Sequence, residues 1–129
     1  PERVLSFDIL VIAIGSVTND FGIDGVAEHC FFLDSRVQAD KFHQHLVRSC
    51  YTANAQEEPL RNGQLHIAIA GAGATGVELA AELHHSIHTL VDFGLQNLSL
   101  EKNLKIHLIE GSPRILPGLT EKISQTTQK

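Results

Sequence analysis

The 129-residue sequence has no Met, no Trp, one Tyr and two Cys. Two cysteines cannot build a disulfide scaffold, and Cys30 and Cys50 lack zinc-ligand spacing. They read as reduced thiols of a cytosolic compartment. Met is missing even at the first position, and Pro1 leads within a few residues into a strand-like segment, so the chain reads as an internal piece of a longer protein. No apolar run is longer than residues 9–14, far short of a membrane span. No basic segment precedes that run, so it is not a secretory signal. There is no block of one charge sign, no internal repeat and no low-complexity tract. The net charge of −5 argues against nucleic acid or an anionic membrane as the main partner. What is present, 43% apolar and 19% charged residues, excludes a disordered tail and suits one domain or pieces of two.

Residues 4–14 (VLSFDILVIAI) are β-branched and aliphatic, with a continuous apolar core, as in a parallel strand buried on both faces. Residues 15–25 carry glycines, Asn and Asp and read as loop. Residues 31–33 suit a short extended segment, after which Asp34 or Ser35 can cap a helix. That helix spans 36 to about 54, with Ala39, Phe42, Leu46 and Cys50 on one stripe. The polar stretch 56–63 reads as a linker. A second strand at 65–70 runs into GAGATG. A helix then begins near Thr75, with Ala80, Leu83, Ile87, Leu90 and Val91 on one face, and ends near Gly94. After a loop at 95–103 comes a third strand at 104–109, ending at Glu110, and Thr120 can cap a last short helix.

The informative motif is Gly71-Ala72-Gly73-Ala74-Thr75-Gly76. It fits G-x-G-x-x-G, and its setting between a strand and a helix, with an acid ending the next strand, makes it a dinucleotide fingerprint. Gly71 permits the tight turn, Gly73 lets a pyrophosphate approach the backbone, and Gly76 lets helix and strand pack closely. The free N–H groups of the helix start, near residues 74–77, then face the phosphates. Glu110 is placed to accept hydrogen bonds from a ribose diol and to repel a 2′-phosphate, which favours NAD over NADP. Arg114 moderates that preference, because an arginine can answer a phosphate. The fold class is therefore α/β, with a truncated Rossmann-like β-α-β unit and a parallel sheet.

Four stretches, DILVIAIGSVTNDFG, GVAEHCFFLDSRVQADKFHQHL, IAIAGAGATGVELAAELH and IHLIEGSPRILPGL, closely resemble type II NADH dehydrogenases, single-subunit NADH:quinone oxidoreductases of the two-dinucleotide-binding flavoprotein superfamily. The resemblance runs from about residue 7 to 124. It implies that residues 1–34 are a segment of an FAD-binding domain contributing a strand, 35–63 a connecting helix and linker, and 64–129 the first half of an NADH-binding Rossmann domain. Ala13, Ile14 and Gly15 would pass near FAD, with Ile14 standing where the family commonly has Thr. Glu78 would lie where nicotinamide and flavin meet and would be the catalytic residue, positioning the nicotinamide or a quinone head group, or handling protons. The implied reaction is hydride transfer from NADH to FAD and two-electron reduction of a quinone. The implied location is the cytoplasmic side of the plasma membrane, held peripherally by parts of the parent outside this chain. The piece alone is expected to be soluble and inactive. Alternatives are another FAD/NAD(P)-dependent reductase of the superfamily, or a non-enzymatic NAD-binding regulatory module. The missing C-x-x-C and C-x-x-x-x-C motifs weigh against a disulfide reductase; the two strands available weigh against a self-contained module.

Other features have plainer readings. His84, His85 and His88 lack a completing ligand, so no metal site is expected and they read as solvent-facing. Glu82 reads as an acid near a helix start, Cys50 and the pair Phe31–Phe32 as packing residues, and His43 and His45 as near the solvent side of their helix. A parallel sheet cut after two strands leaves open edges, so the piece alone is expected to form a homo-oligomer, to swap elements or to add residues 4–14 to its sheet.

Overall fold

The computed structural model describes residues 3–95 and 97–128, without the side chains at 100 and 101. Position 96 of the loop expected at 95–103 lies outside the described residues. The chain divides into two units, 1–44 and 45–129.

The first unit holds α1 (Val26–His29) and the start of α2 (Arg36–Ala55). Its loop is shaped by short polar side chains. Asn19 Oδ1 accepts from Phe21 N–H, and Asp20 Oδ1 accepts from Gly22 N–H, each at 2.9 Å. Of the two candidate caps for α2, Ser35 takes the role: its Oγ accepts from Gln38 N–H at 3.3 Å and donates to Gln38 Oε1 at 3.0 Å. Asp34 instead accepts from the amide (2.9 Å) and hydroxyl (2.6 Å) of Thr18.

The expected strand at 4–14 does not form, and residues 31–33 belong to no helix or strand. The apolar side chains of 4–14 are all largely exposed, up to 92% at Ile14, and this segment does not join the sheet. The reason is physical. A strand exists only when its N–H and C=O groups find a ladder partner, and among the described residues no strand pairs with it.

The second unit carries β1 (Leu65–Ala70), α3 (Ala74–Asp92), α4 (Leu100–Asn103), β2 (Leu104–Ile109) and α5 (Glu121–Thr127). Both strands fall where the sequence places them. They pair in parallel, Leu65 opposite Leu104 through to Ala70 opposite Ile109, and form a two-stranded sheet. A parallel pair requires a crossover, and α3 supplies it. Leu83 and Ile87 of its predicted stripe are buried, with Ala80, Leu90 and Val91 half-buried. Leu65 and Ile69 bury on β1, and Leu46, Cys50 and Ala53 on the later turns of α2. The end of α2 is tied down by Asn97, which donates from its backbone and side-chain amides to Oδ1 and O of Asn54, both at 3.0 Å. Burial raises the Cys50 thiol above its ordinary pKa, so it stays a packing group. β2 alternates half-buried and exposed positions, leaving Lys105, His107 and Ile109 uncovered. α5 starts after Thr120, whose side chain makes no cap bond.

Candidate functional site

The elbow between β1 and α3 sits at the carboxyl ends of both strands, where open α/β sheets hold ligands. Gly71 N–H donates to Ile109 O at 2.8 Å, extending the parallel ladder by one bond. Gly71 then turns at φ +104, a conformation that L side chains rarely adopt. Gly73 caps α3 without a side chain. The first intrahelical acceptor is Gly73 O, which takes Val77 N–H at 3.1 Å. The N–H groups of Ala74, Thr75 and Gly76 therefore have neither an intrahelical acceptor nor a side-chain cap. They stand at the positive end of a 19-residue helix, an arrangement suited to an anion. Val77, expected at the edge of this group, has its amide engaged.

The structure separates the jobs of the glycines. A Cβ at Gly73 would meet nothing within 4 Å, so the approach to the backbone there is open. A Cβ at Gly76 would overlap the carbonyl oxygen of Gly71 and lie 3.6 Å from Ile69 Cγ2. Gly76 is what lets the helix seat on the turn.

Glu110 lies beside this elbow. Its Oε2 accepts from Ala72 N–H at 2.9 Å and its Oε1 from Ser112 N–H at 2.8 Å. The Ser112 and Ala72 amides stabilise the ionised form and hold the carboxyl below its usual range, against a smaller opposing effect of desolvation. A carboxylate has about four lone-pair directions, so each oxygen keeps acceptor capacity for a sugar hydroxyl. Ala72 is fully buried with both peptide groups engaged, its C=O accepting from Leu116 N–H at 2.7 Å. It braces the elbow; the unengaged amides lie further along, at Ala74 to Gly76. Ala74 and Thr75 are exposed.

Glu78 is exposed in the first half of α3, in the same unit as the elbow. Ala13, Ile14 and Gly15 lie in the first unit, all exposed. Arg114, read as moderating the NAD preference, donates to three backbone carbonyls of its own loop. Leu116 and Ser124 had no motif to announce them; the only signal was the irregular Pro113–Pro117–Gly118 stretch, whose carbonyls need non-regular partners. His84 Nε2 and His88 Nε2 lie 3.2 Å apart on an exposed face, and among the described residues no group of three potential ligands is placed to hold a metal. A polar concavity of about 220 Å³ lined by residues such as Arg61, Gly63 and Lys102 lies at the opposite, amino end of the strands, away from these amides.

The model of the pyridine nucleotide-disulphide oxidoreductase family matches residues 1–129. The chain belongs to that family. Among the family's proteins, it is 38% identical to the type II NADH:quinone oxidoreductase of Haemophilus influenzae, over 95% of this chain and 30% of that one. It is 32% identical to the external alternative NADH-ubiquinone oxidoreductase, mitochondrial, of Yarrowia lipolytica, over 98% and 22%. NDH2 from Plasmodium falciparum, solved in complex with NADH, superposes with a TM-score of 0.76 at 30% identity, over 96% of this chain and 25% of that one. The chain thus spans under a third of the length of these relatives. Cys30 is exposed and Cys50 buried, and both are free thiols.

Proposed function

We propose that this chain is part of a flavin-dependent NADH:quinone oxidoreductase and supplies the first half of its NADH-binding domain. The observation that carries this reading is the capless start of α3 beside a carboxylate kept ionised at the carboxyl edge of a parallel sheet. In it, the amides of Ala74 to Gly76 hold the NADH pyrophosphate, the open face of Gly73 admits it, and Glu110 accepts from the adenosine ribose while braced by Ala72. Residues 1–34 belong to the FAD-binding domain, with Ala13, Ile14 and Gly15 passing along the flavin, and 35–63 connect the two. FAD, when bound, supplies the two-electron chemistry between NADH and the quinone. Glu78 orients the nicotinamide or the quinone head group, or holds a proton there. Among the described residues no helix is long and apolar enough to cross a membrane. The proposal includes peripheral attachment of the parent to the cytoplasmic side of the plasma membrane, through parts outside this chain.

The test is steady-state oxidation of NADH coupled to quinone reduction by the full-length, FAD-loaded protein. Activity is expected, and Glu78→Gln should lower quinone turnover or NADH affinity by about tenfold, the size of one lost polar contact. Unchanged kinetics would remove Glu78 from the site, and a protein that neither retains flavin nor oxidises NADH would overturn the reading.

The segment expressed by itself carries the exposed apolar residues 4–14 and uncovered strand edges. It is proposed to cover them by homo-oligomerisation or element swapping. Sedimentation velocity should show concentration-dependent association; a compact monomer at high concentration would refute this.

A further inference from the structure

The loop after β2 is held by an unusual concentration of hydrogen bonds on one side chain. Arg114 Nη1 donates to Leu116 O at 2.9 Å, and Nη2 donates to Pro117 O at 2.9 Å and Leu119 O at 2.8 Å. A guanidinium has five N–H donors in a rigid fork, and here that fork gathers three carbonyls of a non-repetitive backbone. At the centre lies Leu116, at φ +50 with 7% exposure. A leucine is rarely found in the left-handed region and stays there only when its surroundings over-determine it. Leu116 C=O accepts from Arg114 and from Leu119 N–H at 2.9 Å, while its N–H donates to Ala72 O. The neighbouring carbonyl, Ile115 O, takes the hydroxyl of the fully buried Ser124 at 2.8 Å.

Two hydrogen bonds therefore connect Arg114 to the glycine-rich elbow, one into Leu116 and one from Leu116 into Ala72. With Glu110 on the N–H of Ala72 and Leu116 on its C=O, the second residue of the motif is clamped on both peptide groups. Removing the guanidinium takes away one of the two hydrogen bonds accepted by Leu116 C=O and so weakens the restraint that holds its N–H on Ala72. The unengaged amides of α3 follow directly after that clamp.

Resting on the NADH-binding reading above, we propose that Arg114 is a positioning residue that shapes the pyrophosphate elbow through Leu116 and Ala72, and that it takes no part in choosing between NADH and NADPH. Three of the five N–H donors are committed to carbonyls of its own loop, so in this proposal discrimination against a 2′-phosphate rests on Glu110. Arg114 thus acts on both dinucleotides alike.

The experiment compares NADH and NADPH oxidation by full-length, FAD-loaded wild type, Arg114→Gln and Arg114→Lys. Both variants should raise KM for the two nucleotides by the same factor, roughly tenfold, with kcat, flavin content and the ratio of the two kcat/KM values unchanged. Lys should not rescue, because an ammonium is a point charge and cannot replace the fork. A loss confined to NADPH, full rescue by Lys, or an unchanged KM overturns the proposal. Should Arg114→Gln fail to fold, Arg114→Lys and Ser124→Ala carry the test: a shared rise in KM supports the clamp, and no rise in either overturns it. Wild-type protein that oxidises neither nucleotide sinks the parent reading, whereas normal wild-type activity with silent Arg114 variants sinks this inference alone.

Discussion

Gly76→Ala should unseat α3 from the elbow and abolish measurable NADH binding, whereas Gly73→Ala should leave the fold intact and still weaken binding. The two glycines differ in what surrounds them. A Cβ at position 76 would overlap the Gly71 carbonyl oxygen and lie 3.1 Å from its carbon, and those are backbone atoms that no rotamer change can move. Overpacking of this kind costs about 1–3 kcal/mol, and a rigid backbone partner puts it at the upper end. Relief would require the helix to back away from Gly71, carrying with it the amides of Ala74 and Thr75. At Gly73 the backbone has φ −69 and a Cβ would meet nothing. Thermal unfolding of Gly73→Ala should match wild type while its NADH affinity falls by about tenfold or more, since the methyl occupies the space through which a pyrophosphate reaches the amides. Equal stability of the two variants would refute the packing role of Gly76. Full NADH affinity in Gly73→Ala would refute the phosphate role of the elbow.

Glu110→Ala should lower NADH affinity by roughly 10- to 100-fold, the range expected for a lost charge-assisted hydrogen bond to a diol, and should erase the preference for NADH over NADPH. Two effects add. The ribose loses its acceptor, and the buried Ala72 amide loses its partner, so the elbow loosens as well. The pH dependence follows from the direction of the shift. Ser112 and Ala72 donate to the ionised carboxylate, so its pKa is lower in the folded state than in the unfolded chain. Its stabilising contribution is complete above the usual carboxylate range and is lost only as pH falls through the lowered folded value. NADH titrations on wild type should therefore stay flat from neutral pH down into the usual carboxylate range and weaken below it. Glu110→Gln should lack that acid limb. A binding transition centred near neutrality in wild type would assign the titration to a histidine instead of Glu110.

Local chemistry dictated much of this molecule. The six-residue, Leu- and Ile-bearing segments at 65–70 and 104–109 became strands with the anticipated bounds, the first stopped by Gly71 and the second starting after Asn103. Helix α3 buries Leu83 and Ile87 as a 3.6-residue period demands. The glycine spacing of 71–76 was legible because tight turn, open backbone and close packing each need a glycine at one place, and Glu110 stood out as the acid ending the next strand. The segment at 4–14 marks the limit of such reading. Its composition says that it wants a ladder, but composition cannot name the partner, and a strand without a partner is only an extended chain.

Tertiary structure alone decided the roles of Ala72, Arg114, Leu116 and Ser124. In sequence, Ala72 is one cofactor-binding member of the glycine-rich motif and Arg114 a cation near an acid. In space, Ala72 is clamped by groups 38 and 44 residues downstream (110 − 72 and 116 − 72), and Arg114 serves three carbonyls that belong to no helix or sheet. Periodicity reports which face of an element is buried. It carries no information on where irregular backbone sends its polar groups, because that depends on chain geometry set by contacts distant in sequence.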